Sequence, residues 1–98
     1  MLDLKSLRNN ADKVHRVIAP TQQLRWPLLC ERASCELWLK HENHNPTGSF
    51  KVRGGLIYLT NLKESDPAVE GVVAATRGNF GQSVAFAASR LGLKSVVV

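Results

Sequence analysis

The sequence contains few aromatic residues and few cysteines, and it has no long apolar run. Aromatic residues make up 6% of the 98 positions, and the basic residues behind the net charge of +5 are scattered rather than interleaved with aromatics as in nucleic-acid-binding surfaces. No run approaches the roughly 20 apolar residues of a membrane-spanning helix. The N-terminus also lacks the apolar core of a secretion signal. We therefore expect neither nucleic acid nor a membrane as a partner, and a cytoplasmic location.

Motifs for metal binding are missing as well. Cys30 and Cys35 are five positions apart, which matches neither a Cys-x-x-Cys redox motif nor a zinc knuckle, so we expect two buried thiols in a reducing compartment. His41 and His44 flank Glu42 at a spacing of three, whereas a helical zinc site needs histidines four apart. We expect no metal.

The common nucleotide-binding loops are also absent. Residues 78–81 lack the Gly-x-Gly-x-x-Gly order of dinucleotide-binding folds, and there is no Walker-type loop. The chain has no internal repeats and no low-complexity tract. Its length and its apolar fraction of 44% fit one small globular domain.

Hydrophobic spacing predicts a helix at the N-terminus and a short strand after it. Apolar residues recur at steps of three and four from Leu4 to Ile18, so we expect an amphipathic helix that Asp3 caps and that ends before Pro20. Residues 20–36 contain the helix breakers Pro20 and Pro27 and are expected to be irregular. A strand is predicted at 37–42.

A turn and a second helix follow that strand. Ser49 is expected to cap a helix that runs to about Glu64 and stops at Asp66-Pro67. Gly54 and Gly55 lie in its first two turns, where each costs roughly 0.5–1 kcal/mol relative to alanine. We expect something to approach the helix closely there.

Lys51 stands near the first position of this helix. Unpaired amides make a helix N-terminus positive and disfavour another cation by about 0.3–1 kcal/mol. Such a position favours the free amine, which attacks carbonyls or abstracts protons. Lys51 is therefore a candidate nucleophile or base.

The rest of the chain predicts a βαβ unit. A buried strand at 71–75, a loop at 76–79, a helix at 80–91 ended by Gly92 and a strand at 95–98 would give a parallel pair. The predicted fold class is α/β, with a parallel sheet and flanking helices in three layers. Ligands collect at the carboxyl ends of such strands, where the 76–79 loop lies and could bind an anion.

Two motifs together resemble a known family. Residues 45–55, Asn-Pro-Thr-Gly-Ser-Phe-Lys-Val-Arg-Gly-Gly, are followed at 76–83 by Thr-Arg-Gly-Asn-Phe-Gly-Gln-Ser. This combination resembles fold-type II pyridoxal-phosphate enzymes of the threonine dehydratase and serine racemase branch. The resemblance covers about residues 26–98.

The resemblance implies a role for each motif residue. Lys51 would be the catalytic residue and would hold pyridoxal 5′-phosphate (PLP) as a Schiff base. Phe50 would pack beside the cofactor ring and Asn79 would hydrogen-bond it. The substrate carboxylate would be bound by the 76–80 loop, which consists of Thr76, Arg77, Gly78, Asn79 and Phe80.

The implied reaction is an elimination. Lys51 would remove the Cα proton of a hydroxy-amino acid such as threonine or serine, and loss of the β-hydroxyl as water would lead to a 2-oxo acid and ammonia. The full-length protein is expected to be a homo-oligomer. One alternative is a non-catalytic α/β fragment or binding module that keeps the motif as a relic. Another, within the family, is a racemase or dehydratase that acts on serine or 3-hydroxyaspartate.

Two positions depart from the family pattern. Arg77 stands where racemases of the group have serine and dehydratases usually have alanine, and because arginine is a poor base it favours elimination over racemisation. Its guanidinium could instead bind the second carboxylate of a 3-hydroxyaspartate, as a dehydratase or racemase substrate. Phe80 replaces the customary histidine.

The resemblance also predicts how the chain divides. Residues 1–65 would belong to the large, lysine-bearing lobe and 66–98 would start the small lobe, with the cofactor between them. The family's glycine-rich phosphate cradle is not found in the sequence. We expect a fragment of a longer enzyme, inactive by itself.

Overall fold

The computed structural model describes residues 3–98. Within these residues, four helices, four strands and one 3₁₀ turn follow one another: α1 Leu4–His15, β1 Gln23–Arg25, α2 Pro27–Ala33, β2 Trp38–Lys40, the 3₁₀ turn Glu42–His44, α3 Lys51–Ser65, β3 Gly71–Ala74, α4 Asn79–Arg90 and β4 Lys94–Val97. The strands form two separate two-stranded sheets, β1–β2 and β3–β4. The α/β class predicted from the sequence is confirmed.

Helix α1 begins as predicted and ends early. The Asp3 carboxylate accepts a hydrogen bond from the Ser6 amide at 2.6 Å, which confirms the N-cap. The helix stops at His15, well before Pro20. Ile18 lies beyond the helix but is still buried in the core.

The prediction of an irregular segment at 20–36 was wrong. Pro27 does not break a helix but begins α2, because proline is tolerated at the first helical position, where its missing amide would have no partner. Ser34 ends α2 in the left-handed conformation, with φ of 53°. Strand β1 pairs with β2 in antiparallel fashion, with Gln23 opposite Lys40.

The two cysteines have different environments. Cys30 is buried in α2, and its thiol interacts with both the amide and the carbonyl of Leu37, at 3.3 and 3.5 Å. Cys35 is exposed, so the expectation of two buried thiols was wrong for this residue. It follows the end of α2, where the chain turns at the surface.

The third helix is close to its predicted extent. It begins at Lys51 rather than directly after Ser49, although the Ser49 hydroxyl does accept a hydrogen bond from the Lys51 amide at 3.3 Å. It ends at Ser65, one residue before Asp66. The core of the described chain is formed by α1, α3, α4 and the residues beside them, namely Val14, Ile18, Val52, Leu56, Leu59, Ala74, Val84, Ala87, Ala88 and Leu93.

The predicted parallel pair is confirmed, with Gly71 opposite Lys94 and Ala74 opposite Val97. The strands are less buried than the sequence suggested. Val73 is 75% exposed and all four residues of β4 are exposed, because within residues 3–98 helix α4 is the element that packs on this pair. None of the described helices combines the length and apolar character that crossing a membrane requires.

Candidate active site

The loop before Lys51 is organised by one buried side chain. The Asn45 amide group donates to the Ser49 carbonyl at 2.7 Å, and its oxygen accepts from the Thr47 and Ser49 amides, both at 3.1 Å. These bonds close a tight turn in which Gly48 has φ of 65°. The turn formers of the motif thus define where α3 begins, and with it the position of Lys51.

Lys51 is the first residue of α3 and its side chain reaches solvent. Its ammonium nitrogen lies 5.1 Å from the centroid of the Phe50 ring. A cation over an aromatic face is attracted by the quadrupole of the ring. The predicted catalytic lysine and the predicted ring-packing residue are therefore adjacent.

Arg53, two residues further on, is held by Glu42. Its Nε and Nη2 atoms donate to the two carboxylate oxygens at 2.7 and 2.9 Å. Thr21 donates its hydroxyl to the same carboxylate at 2.6 Å. The hydrogen bonds from Arg53 are the largest cause that lowers the pKa of Glu42 to about 2.

This pKa predicts how stability changes in acid. Because the pKa of Glu42 is lower in the folded protein (about 2) than its ordinary value of 4.5, the stabilisation is complete above about 4.5 and is lost as the pH falls towards 2. Arg53→Met should remove much of this dependence and cost about 1–2 kcal/mol at neutral pH. Urea unfolding across this range measures it. A wild-type protein whose pH dependence equals that of Arg53→Met would contradict the prediction.

Helix α4 packs against the first turns of α3 through a serine and a glycine. The buried Ser83 hydroxyl donates to the Lys51 carbonyl at 2.7 Å. Opposite it, a Cβ on Gly55 would lie 2.0 Å from the Ser83 Oγ, which confirms the close approach expected there. A Cβ on Gly54 would meet nothing within 4 Å, so the expectation was wrong for this residue. The N-terminal turns of α3 and α4 therefore meet.

A cleft of about 500 Å³ opens where the two helices meet. It is lined by Phe50, Lys51, Arg53, Gly54, Gly55, Tyr58 and Phe80. Three aromatic side chains contribute to its walls, and the positive ends of two helix dipoles lie beside it. A planar, anionic ligand suits this combination of rings and positive charge.

The structure brings some of the predicted site residues together and not others. Phe50, Lys51 and Phe80 share the cleft. The other four, Thr76, Arg77, Gly78 and Asn79, lie between β3 and the start of α4 and do not line it. The Thr76 hydroxyl accepts from the Gly78 amide at 3.4 Å, and Arg77 and Asn79 are exposed.

Two features of the cleft were missed in the sequence. Tyr58 lines the cleft, and its spacing of four from Gly54 and seven from Lys51 could have placed it on the same helix face. The Glu42–Arg53 pair had no sequence signal, because it joins residues eleven positions apart across a turn. Within residues 3–98, no three His, Cys, Asp or Glu side chains are grouped so as to hold a metal ion.

Comparisons with known proteins identify the family of this chain. Residues 14–98 match the family described as pyridoxal-phosphate dependent enzyme. The L-threonine ammonia-lyase of Thermotoga maritima is 35% identical over 98 residues, which are 100% of this chain and 24% of that protein. The biosynthetic L-threonine dehydratase of Haemophilus influenzae is 41% identical over 70 residues, or 71% and 14% of the two chains.

Solved structures give the same result. A pyridoxal 5′-phosphate-dependent aspartate racemase superposes with a TM-score of 0.89 at 31% identity, covering 98% of this chain and 30% of the other. A threonine deaminase from T.th. superposes with a TM-score of 0.80 at 32% identity, covering 97% and 33%. The chain thus spans about a seventh to a third of the length of these proteins. The chain belongs to the pyridoxal-phosphate dependent enzymes of fold type II, and its cofactor is PLP.

Proposed function

We propose that this chain forms the lysine-bearing part of a PLP-dependent lyase that converts a hydroxy-amino acid such as threonine or serine to a 2-oxo acid and ammonia. The observation that carries the proposal is the position of Lys51, which lines a cleft with three aromatic side chains where two helix N-termini meet. Relatives named threonine dehydratase and L-threonine ammonia-lyase support this reaction class.

The cleft fits the ring and the aldehyde of the cofactor. Its volume of about 500 Å³ lies within the usual range for small-ligand pockets, and Phe50 and Phe80 offer apolar faces for a planar ring. The absence of a side chain on Gly54 keeps the wall beside Lys51 open. Bound PLP supplies an electron sink that stabilises negative charge at the substrate Cα.

Each motif residue has a proposed part in this reaction. Lys51 attaches the cofactor and its amine removes the proton from the substrate Cα. Asn79 offers an amide to the cofactor, and Thr76 with the amides of the 78–80 segment binds the substrate carboxylate. Phe80 lines the cleft but Thr76, Gly78 and Asn79 do not, so the substrate must extend from Lys51 to the loop.

We also propose that the chain acts within a longer polypeptide. It spans only 14% to 24% of the two curated relatives named above, and its sequence contains no glycine-rich run for the cofactor phosphate. Residues 1–65 would belong to the large lobe, 66–98 would start the small one, and the complete protein would be a homo-oligomer. The 98 residues alone are then inactive, so the experiments below use the full-length protein.

The test is direct. Full-length protein with PLP is incubated with L-threonine and with L-serine, and 2-oxo acid and ammonia are measured. D-allo-threonine and D-serine, the products of inversion at Cα, are measured in the same samples. Equal amounts of 2-oxo acid and ammonia without D-amino acid support the lyase. D-amino acid without 2-oxo acid would replace it with a racemase. No product and no cofactor uptake would favour the non-catalytic relic.

A second candidate substrate class is favoured by Arg77. This exposed guanidinium lies on the loop proposed to bind the substrate, and an aspartate racemase is among the similar structures. The Arg77 guanidinium could bind the second carboxylate of a 3-hydroxyaspartate. That substrate would then be dehydrated or racemised.

Arg77→Ala tests this candidate. If Arg77 binds the second carboxylate, kcat/KM for 3-hydroxyaspartate should fall roughly 10- to 100-fold, as for loss of a charged hydrogen bond, while that for threonine changes little. Arg90→Ala is the matched control, because Arg90 lies in the last turn of α4 and stacks on Phe86. An unchanged ratio of the two kcat/KM values would remove the acidic substrate from consideration.

A further inference from the structure

Glu42 is the centre of a partly buried polar cluster near the catalytic lysine. It accepts two hydrogen bonds from Arg53, one from Thr21 and a longer one of 3.5 Å from the Asn45 amide group, and the Lys40 ammonium lies 3.8 Å away. The side chains of Glu42 and Arg53 are only 19% and 23% exposed. A bidentate, partly buried ion pair of this kind keeps a fixed geometry, whereas an exposed ion pair contributes little to stability.

The pair connects two parts of the chain that meet at the cleft. Arg53 belongs to the first turn of α3 and lines the cleft together with Lys51. Glu42 begins the 3₁₀ turn that follows β2. The first turn of a helix lacks part of its intrahelical hydrogen bonding, so a side-chain anchor there restricts the backbone that carries Lys51.

The pair also sets the charge of the cleft. Glu42 compensates the guanidinium of Arg53, so Lys51 is the uncompensated cation among the cleft residues that the structure describes. An anionic group entering the cleft is therefore attracted towards Lys51 rather than towards Arg53.

We propose that Glu42 is a positioning residue for Lys51: it holds Arg53, and through Arg53 the first turn of α3, so that the lysine amine faces the cleft. This inference rests on the proposed function, in which Lys51 attaches the cofactor. Glu42 itself does not line the cleft.

Glu42→Gln is the decisive variant, and Glu36→Gln is its matched control. Glutamine keeps the size of the side chain but cannot accept two charge-assisted bonds from Arg53. Glu36 lies in the segment between α2 and β2 and faces Arg25 at 4.0 Å, but its side chain is 67% exposed. Full-length protein is mixed with PLP, and samples are reduced with borohydride at successive times. The amount of PLP-labelled Lys51 peptide in each sample is then measured. We expect attachment about tenfold slower or more in Glu42→Gln and unchanged in Glu36→Gln.

A second measurement needs no cofactor. Amide hydrogen exchange of the peptide that covers residues 50–55 should be faster in Glu42→Gln than in wild type, and unchanged in Glu36→Gln. Arg53→Lys keeps the positive charge but cannot donate two parallel hydrogen bonds to Glu42. Its rate of labelling should lie between those of wild type and Glu42→Gln. This variant decides the matter if Glu42→Gln does not fold.

The outcomes separate the inference from the function on which it rests. Labelling and exchange at wild-type rates in Glu42→Gln, or in Arg53→Lys where Glu42→Gln is unfolded, overturn the positioning role and leave the proposed function standing. Equal slowing in both glutamate variants overturns it too, because a general loss of stability would explain that result. A wild-type protein whose Lys51 takes up no cofactor overturns the proposed function itself.

Discussion

Lys51→Ala should abolish the borohydride-stable attachment of PLP to the full-length protein and lower its lyase activity by at least about 10²- to 10⁴-fold, the usual contribution of one general base. The loss should exceed that of any other single substitution in the cleft, because this amine is proposed both to attach the cofactor and to remove the substrate proton. Phe50 and the backbone of α3 are untouched by the change. The measurements are the visible absorbance of bound PLP, the mass of the reduced Lys51 peptide and the rate of 2-oxo acid formation.

A surface lysine is the control for this experiment. Lys5→Ala removes an exposed lysine of α1 and should leave labelling and activity at wild-type levels. Lys51→Arg keeps the positive charge near Phe50 but has no amine able to form a Schiff base, so it should behave like Lys51→Ala. Stable labelling of Lys51→Ala at some other lysine, with activity retained, would show that the motif lysine is not the anchor.

Gly55→Ala should destabilise the protein by about 1–3 kcal/mol, as overpacking of a tight contact does. The added methyl would lie 2.0 Å from the Ser83 Oγ and 3.0 Å from the Ser83 carbonyl oxygen, so part of the strain falls on the backbone of α4. The gain in helix propensity, up to about 1 kcal/mol, is too small to compensate. Urea unfolding at constant pH measures the change.

The neighbouring glycine is a matched control of opposite sign. Gly54→Ala has no atom within 4 Å of the new methyl group and should stabilise α3 by about 0.5–1 kcal/mol. The double variant Gly55→Ala/Ser83→Gly removes the hydroxyl that the methyl would strike and should recover part of the loss. If Gly55→Ala stabilised the protein as much as Gly54→Ala, the close packing of α3 on α4 would be contradicted.

Local signals in the sequence were sufficient for much of the fold. The Asp3 cap, the stop before Asp66 and the parallel pairing of β3 with β4 all depend on residues close together in the chain, where capping and turn chemistry act. Pro27 misled the prediction, because a proline that ends one element can equally begin a helix. The choice between these roles depends on whether the segment packs against something.

For the candidate site, too, local motifs could be recognised in the sequence and long-range contacts could not. The motif around Lys51 and the loop at 76–79 could be recognised because their residue types and order are distinctive. The partners that hold them could not. Glu42 and Arg53 are ordinary charged residues in the sequence, and Ser83 is an ordinary helical serine, until the fold places them against α3.

The sequence by itself determined the family, the cofactor and the identity of the candidate lysine, because these follow from a short, contiguous pattern of residue types. The tertiary structure decided which side chains share the cleft with Lys51, that Tyr58 is one of them, and that Arg77 is not. The reason is physical. The cleft exists only where two helices distant in sequence pack so closely that Gly55 has no room for a side chain.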